Sequence, residues 1–263
     1  MQLLFYFLIC LSATTLGAIS GIGGGVIIKP VMDAVSGLSV SSISFLSGCT
    51  VLAMSVVSVL RGRGGDAKID LKKGTLLAIG GAIGGVSGKM IFDVIKSSFG
   101  SEGLLGTIQS SLMVILTLGV FVYVLNKEKI HALHIENPVA CFCIGLTLGI
   151  MSSFLGIGGG PINLAVLYYF FSMDTKTAAL NSLYIILFSQ IASFCSTVFQ
   201  GKVPDVNIVM LVVMAAGGIL GGFVGRSFSR KMRSSHVDIL FRWMLVIILA
   251  ISCYNLYHYS NML

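Results

Sequence analysis

Gly21-Ile22-Gly23-Gly24-Gly25 decides how this chain is read, and the same five residue types return at Gly156-Ile157-Gly158-Gly159-Gly160. Each copy sits inside a nearly uncharged apolar run, residues 3–35 for the first and 139–171 for the second. Each run is much longer than the roughly 20 residues that cross a bilayer once. Glycine costs about 1 kcal/mol per position against alanine in a helix, so four glycines in five positions interrupt one. The reading is two helical segments meeting at a non-helical turn within the membrane. Such backbone is tolerated at that depth only where protein or a water-filled cavity satisfies its N–H and C=O groups. Glycine admits positive φ angles there and brings bare N–H groups close to a ligand. Broken helices at matching places in two halves point to a transporter's binding site. Close helix packing is the competing reading, but packing motifs use spaced glycines rather than a Gly-Gly-Gly run.

The rest of the composition fits a polytopic membrane protein. Of 263 residues, 56% are hydrophobic and only 10% charged, where a soluble domain carries about 25% charge. No polar stretch is long enough to form a soluble domain. The opening run lacks a positive n-region and a small-residue cleavage site, so it reads as a retained span rather than a signal peptide. The net charge of +7 lies in short loops, where membrane orientation accounts for it and nucleic acid is not implied as a partner. Cys10, Cys49, Cys141, Cys143, Cys195 and Cys253 all lie in apolar segments, where cysteine behaves as a small hydrophobe. Cys141-x-Cys143 is not metal-ligand spacing, so no metal and no cofactor are expected. His131, His134, His236 and His258 fall in loops or near span ends. With no membrane histidine paired to a carboxylate, no catalytic residue is assigned and an enzyme is not expected.

An internal duplication follows from the chain itself. Beyond the first broken element come apolar segments near 39–60, 74–95 and 104–125; beyond the second, near 177–199, 206–228 and 239–257. Gly80-Gly-Ala-Ile-Gly-Gly-Val-Ser-Gly-Lys89 matches Gly217-Gly-Ile-Leu-Gly-Gly-Phe-Val-Gly-Arg226 at every glycine and at the final cation. The expected division is residues 1–126 as transmembrane repeat one, 127–137 as a cytoplasmic linker, and 138–263 as transmembrane repeat two.

Charge then chooses between parallel and inverted repeats. If each long element crossed once, the Lys and Arg residues would divide almost evenly, eight to nine. If each returns to its own side as a hairpin, one face collects Arg61, Arg63, Lys68, Lys72, Lys73, Lys127, Lys129, Lys176, Arg226, Arg230, Lys231, Arg233 and Arg242. Only Lys29, Lys89, Lys96 and Lys202 remain on the other, thirteen against four. The positive-inside rule selects the second arrangement. The expected fold is therefore all-α: two inverted repeats, each a broken or hairpin first element plus three transmembrane helices, with both termini outside a cell membrane.

In the hairpin reading a second half-helix starts at mid-membrane, from Val26 in one repeat and Pro161 in the other. Such starts carry free N–H groups and partial positive charge, which suits an anion. Gly21, Gly23, Gly24, Gly25, Gly156, Gly158, Gly159 and Gly160 are the first candidates for substrate binding. Lys29 is the sharpest single residue, either a counter-charge for an anionic substrate or one half of a pair with Asp33. Asn163, Asn181, Ser182 and Gln190 are polar groups in apolar surroundings, and Ser47 to Thr50 holds the corresponding place in repeat one. Neutral donors of this kind suit an oxyanion; interhelical hydrogen bonding is the alternative. The Gly80/84/88 and Gly217/221/225 ladders have helical spacing and read as packing surfaces.

The duplicated Gly-Ile-Gly-Gly-Gly elements, each followed by three spans, resemble the sulfite exporter TauE/SafE family, also called the toluenesulfonate uptake permease family. The resemblance covers essentially the whole chain. It implies a carrier for small sulfur-containing or carboxylated anions such as sulfite, sulfonates or sulfoacetate. It places the family motif on the eight loop glycines and, less closely, the polar pair on Ser47 and on Asn181-Ser182; Lys29 departs from the family pattern. The expected function is secondary transport by alternating access, with a passive anion channel as the alternative. The partners implied are a small anionic substrate and the lipid bilayer, with a homodimer as one assembly such a chain allows.

Overall fold

The computed structural model describes residues 2–62, 67–99 and 101–261. Among them are ten helices: α1 (Gln2–Ser20), α2 (Gly25–Val35), α3 (Val40–Gly62), α4 (Leu71–Phe99), α5 (Glu102–Asn126), α6 (Pro138–Phe154), α7 (Pro161–Phe171), α8 (Thr175–Phe199), α9 (Ile208–Lys231) and α10 (Ser234–Ser260). Seven of these, all but α2, α6 and α7, are long and apolar enough to cross a membrane. The chain is an all-helical polytopic membrane protein. Arg63, one of the cations in the charge tally, lies outside the described residues.

Several helix starts follow from local chemistry. The Asn137, Asp174 and Asn207 side chains each accept two backbone N–H groups at the heads of α6, α8 and α9. These are the orphan donors that a helix N-terminus leaves unpaired. Pro138 and Pro161 open α6 and α7, where a missing N–H costs nothing.

The glycine ladders decide how the helices meet. The α4 ladder lies on α6, where a Cβ at Gly84 would strike Leu146 O and one at Gly88 would strike Ile150 O. The α9 ladder lies on α1 in the same way, Gly217 against Cys10 and Gly225 against Thr15 and Ala18. The other edge of α9 runs along α3, Gly218 on Thr50 and Gly222 on Met54. Position numbers rise together in all three contacts, so those helix pairs are parallel. Each half thus lays its ladder on the first helix of the other half.

α3 and α8 run antiparallel, as do α5 and α10. Gly48 of α3 faces Gln190 of α8 while Gly62 faces Leu180. Gly106 of α5 faces Tyr259 of α10, and Lys127 at the far end of α5 bonds Asp238 near the start of α10 at 2.8 Å. The described chain therefore begins and ends on one face. That face also holds the end of α4 and the α8–α9 loop. The end of α3, the start of α4 and the α9–α10 connection lie on the opposite face.

The first broken element pairs a long helix with a short one. α1 has 19 residues, about 28 Å at 1.5 Å per residue, and it crosses nearly the whole bundle. Its end is level with Ser229 near the close of α9, whose hydroxyl donates to Ile19 O at 3.4 Å. The chain then doubles back along its own last turns. Gly17 has no side chain, so the Gly23–Gly24 backbone lies directly on it, 2.5 Å from where a Cβ would stand. That return carries the start of α2 back to mid-depth beside Thr14. Positive φ at Gly21 (83°) and Gly23 (80°) makes the reversal.

Candidate functional site

The two Gly-rich loops meet in the middle of the bundle. A Cβ on Gly25 would strike Ile157 O, and one on Gly23 would lie 3.5 Å from Gly158 O. Val51 of α3 and Ile186 of α8 flank the meeting point, touching Gly158 and Gly159 respectively. Both loops are buried throughout. Their glycines leave no room for a side chain: a Cβ on Gly21 would strike Ala179, one on Gly24 would lie 2.6 Å from Thr14 Cγ2, one on Gly156 would strike Ser44, and one on Gly160 would lie 3.1 Å from Ile157 Cδ1. At these positions the missing Cβ lets backbone approach backbone or side chain. Gly156, Gly158 and Gly159 also need the left-handed φ values they adopt.

A small pocket opens beside the second loop. Ser44, Phe45, Gly48 and Cys49 of α3 form one wall, and Gln190, Ser193, Phe194 and Thr197 of α8 another. Ser153 and Gly156 close its floor from α6 and the loop, while Lys89 and Phe92 of α4 stand at its mouth. Ser153 Oγ and Ser193 Oγ are 2.9 Å apart. The Ser44 hydroxyl is buried without a hydrogen-bond partner, an arrangement that usually costs a desolvation penalty. The Phe45 and Phe194 rings stack at 6.1 Å. The pocket thus offers hydroxyls, an amide and one cation beside aromatic surface.

Directly outside lies a wider vestibule, sharing Lys89 and Phe92 with the pocket. Lys89 Nζ lies 3.2 Å from Asp93 Oδ1 and 4.4 Å from the Phe92 ring centroid. Lys202 Nζ reaches the other Asp93 oxygen at 3.3 Å. Lys96 Nζ donates to Ser41 Oγ at 2.7 Å. Three lysines surrounding one carboxylate leave the vestibule net positive, which raises the local concentration of anions.

The residues expected from sequence divide among several places. Gly156 and Gln190 line the pocket. Ser47 and Ser182 are fully buried with unpartnered hydroxyls, but neither lines the pocket. Thr50 Oγ1 donates to Leu46 O at 2.8 Å within its own helix. Asn163, just past the second loop, is 1% exposed and its Oδ1 has no partner. Asn181 ties the α3–α4 connection to α8: its Nδ2 donates to Lys68 O and Thr177 O, and its Oδ1 accepts from Asp70 N–H. Lys29 stands apart from the pocket and bonds Asp33 at 2.6 Å, both side chains being about 5% exposed.

The sequence does not single out Ser44, Phe45, Phe92, Ser153, Ser193, Phe194 and Thr197, which also line the pocket, whereas Gly48 and Cys49 fall within the polar stretch from Ser47 to Thr50. A signal for α8 was present in the spacing of Gln190, Ser193 and Thr197, three and four residues apart along one face. On α3 the same holds for Ser44 and Gly48.

A model of the family described as "Sulfite exporter TauE/SafE" matches residues 6–256. The chain is 23% identical over 267 residues to "Probable membrane transporter protein YunE" of Bacillus subtilis (strain 168), covering 90% of this chain and 92% of that protein. It is 26% identical over 260 residues to a "Probable membrane transporter protein" of Haemophilus influenzae, covering 94% and 92%. A shorter stretch of 110 residues is 26% identical to "Probable membrane transporter protein MamO" of Magnetospirillum gryphiswaldense, covering 40% of this chain and 17% of that one. No solved structure matches the chain.

Proposed function

The chain belongs to the sulfite exporter TauE/SafE family, and from that premise we propose that it is a secondary carrier for a small sulfur-containing or organic anion in the cell membrane. The observation that carries the reading is the pocket between α3, α4, α6 and α8, set against the Gly-rich loop and entered past Lys89. Neutral hydroxyl and amide groups replace the water that an oxyanion sheds, and a single cation at the mouth adds charge without making release prohibitive. On the opposite face Leu180 and Arg226 are buried against the end of α3. Leu180 touches Gly62, and Arg226, the counterpart of Lys89, is 2% exposed beside them. An open pocket on one face and a closed counterpart on the other suit alternating access rather than a continuous channel.

Inverted repeats are part of this proposal. Antiparallel α3 and α8, and antiparallel α5 and α10, support a two-fold axis in the membrane plane. The division at 1–126, 127–137 and 138–263 goes with it, the linker being cytoplasmic. The thirteen-to-four charge split supports placing the vestibule and both termini outside. In a Cys-free background, single cysteines introduced at Lys72 and Arg233 should both be labelled only from the cytoplasmic side by an impermeant maleimide. Labelling from opposite sides would refute the inverted arrangement.

Proteoliposomes loaded with unlabelled anion test transport itself, against a panel of sulfite, thiosulfate, sulfoacetate, an aryl sulfonate and acetate. A carrier gives saturable uptake and accelerated exchange for at least one of them. Non-saturating flux with steady current and no exchange would replace the carrier with a channel.

A further inference from the structure

The register that lays Gly21 on Gly156 also lays Ser44 on Ala179, Phe45 on Leu180, Ser58 on Ser193 and Gly62 on Thr197. The ladder match lays Lys89 on Arg226. Ser44, Phe45, Lys89, Gly156, Ser193 and Thr197 all line the pocket. Their counterparts come together as well. A Cβ on Gly21 would strike Ala179, just as one on Gly156 would strike Ser44. A Cβ on Gly62 would strike Leu180, and Arg226 Nη2 is 3.5 Å from that same point. Ser58 Oγ is 3.2 Å from the Cβ position of Gly222, one turn before Arg226.

The chemistry of this second place is one-sided. Arg226 is 2% exposed and Ser58 is fully buried, so the guanidinium does not reach out to water as a long cation at a span end does. Arg226 Nε and Ser58 Oγ have no hydrogen-bond partner. Among the described residues no carboxylate forms an ion pair with Arg226. A buried charge left without a partner is costly. A guanidinium has donors only, so what it lacks here is acceptor oxygens. An oxyanion supplies a pair of them to its planar fork, and a neighbouring hydroxyl can donate to another. In the pocket the corresponding hydroxyl and cation, Ser193 and Lys89, face one cavity. Phe45 is held to the wall of that cavity by stacking on Phe194. Its counterpart Leu180 lies instead on Gly62, beside Arg226.

We propose that Arg226 and Ser58 form a second oxyanion site, the counterpart of the pocket on the opposite face, and that Leu180 withdraws from Gly62 to admit the anion. The proposal rests on the carrier reading above and names where the substrate stands before release on that face. The ligand class is the same, a sulfonate, sulfite or carboxylate. Arg226 holds it by paired N–H groups where Lys89 offers a point charge.

Thiol labelling in membrane vesicles tests this without a transported anion. Ser58→Cys in a Cys-free background, with and without Leu180→Ala, is exposed to two impermeant methanethiosulfonates, anionic sulfonatoethyl and cationic trimethylammonioethyl. Arg233→Cys and Lys202→Cys report the two faces. Ser58→Cys should react only from the face that labels Arg233→Cys, and several-fold faster with Leu180→Ala. Relative to Arg233→Cys it should favour the anionic reagent by about tenfold, since a buried positive charge concentrates anions. Arg226→Gln should remove that preference and Arg226→Lys should keep most of it. A second measurement needs no engineered cysteine. Methanesulfonate in place of gluconate should raise the unfolding temperature of Leu180→Ala more than that of wild type, and Leu180→Ala/Arg226→Gln should lose the extra gain. The proposal is overturned if Ser58→Cys labels from the Lys202→Cys face, if its reagent preference survives Arg226→Gln, or if Leu180→Ala gains no more from methanesulfonate than wild type. Absence of saturable exchange in the uptake panel would instead remove the carrier, and the labelling pattern would then mark an anion site in a channel.

Discussion

Lys89→Gln should lower anion uptake at subsaturating concentration by about ten- to a hundredfold while leaving the protein folded. Lys89 is the one charged residue shared by the inner pocket and the outer vestibule. The remaining polar groups at the pocket are neutral hydroxyls and an amide. A hydrogen bond to a charged partner contributes about 1.5–3 kcal/mol, and each 1.4 kcal/mol is about tenfold in affinity. Gln keeps a donor of similar reach and removes only the charge, so folding is little affected. Lys89→Arg should keep most of the uptake. The measurement is the concentration dependence of uptake in proteoliposomes for whichever panel anion wild type moves. If the Gln variant stays within twofold of wild type, Lys89 only extends toward the headgroups, as long cations at span ends commonly do.

Gly84→Ala and Gly221→Ala should each lower the unfolding temperature in detergent by more than any other single methyl addition on the exposed helix faces. At Gly84 the new Cβ would meet Leu146 O and lie 2.9 Å from Ile150 N; at Gly221 it would meet Thr14 Oγ1 and lie 2.7 Å from Leu11 O. These are backbone atoms or side chains pinned to backbone, so only separation of the helices gives relief. Overpacking of this kind costs about 1–3 kcal/mol. Gly119 of α5 supplies the contrast, with nothing within 4 Å of its Cβ position. There alanine should stabilise by up to about 1 kcal/mol, the helix-propensity difference. Equal unfolding temperatures for the ladder variants and wild type would mean that the ladders are not the contact between the halves.

The interruptions and the spans were legible because they rest on local chemistry. A run of four glycines in five stops a helix wherever it occurs, and α1 ends at Ser20 and α6 at Phe154, each next to its run. Apolar stretches expected near 39–60 and 177–199 became Val40–Gly62 and Thr175–Phe199. What a helix touches was harder to read. A ladder of glycines shows that something comes close but carries no address, and both ladders turned out to lie on the other half's first helix. How far α1 runs across the bundle could not be read for a related reason. Its final turn is as apolar as the rest, and the doubling-back depends on Gly17, whose role appears only once Gly23 lies on it. Of the pocket, Gly156, Gln190, the Gly48–Cys49 part of the polar stretch on α3 and the cation Lys89 at the end of its ladder were legible. Serines, a threonine and phenylalanines in an apolar helix look like lipid-facing sequence until Lys89 is seen at the mouth. Lys29 and Asp33 could be paired from their spacing, four residues apart on one helix.

The placing of α1 along α9 also governs how the protein must be made. Thr14 donates its hydroxyl to Gly217 O at 3.2 Å across 203 positions of chain. A ribosome releases α1 into the bilayer long before α9 exists. Through most of synthesis the face of α1 that carries Leu11, Thr14 and Ala18 therefore has only lipid or a helper protein against it. The nascent first half is an unfinished object, and it closes only when the ninth helix arrives. Premature termination anywhere before Gly217 would leave that face open, a signature that membrane quality-control proteases can read.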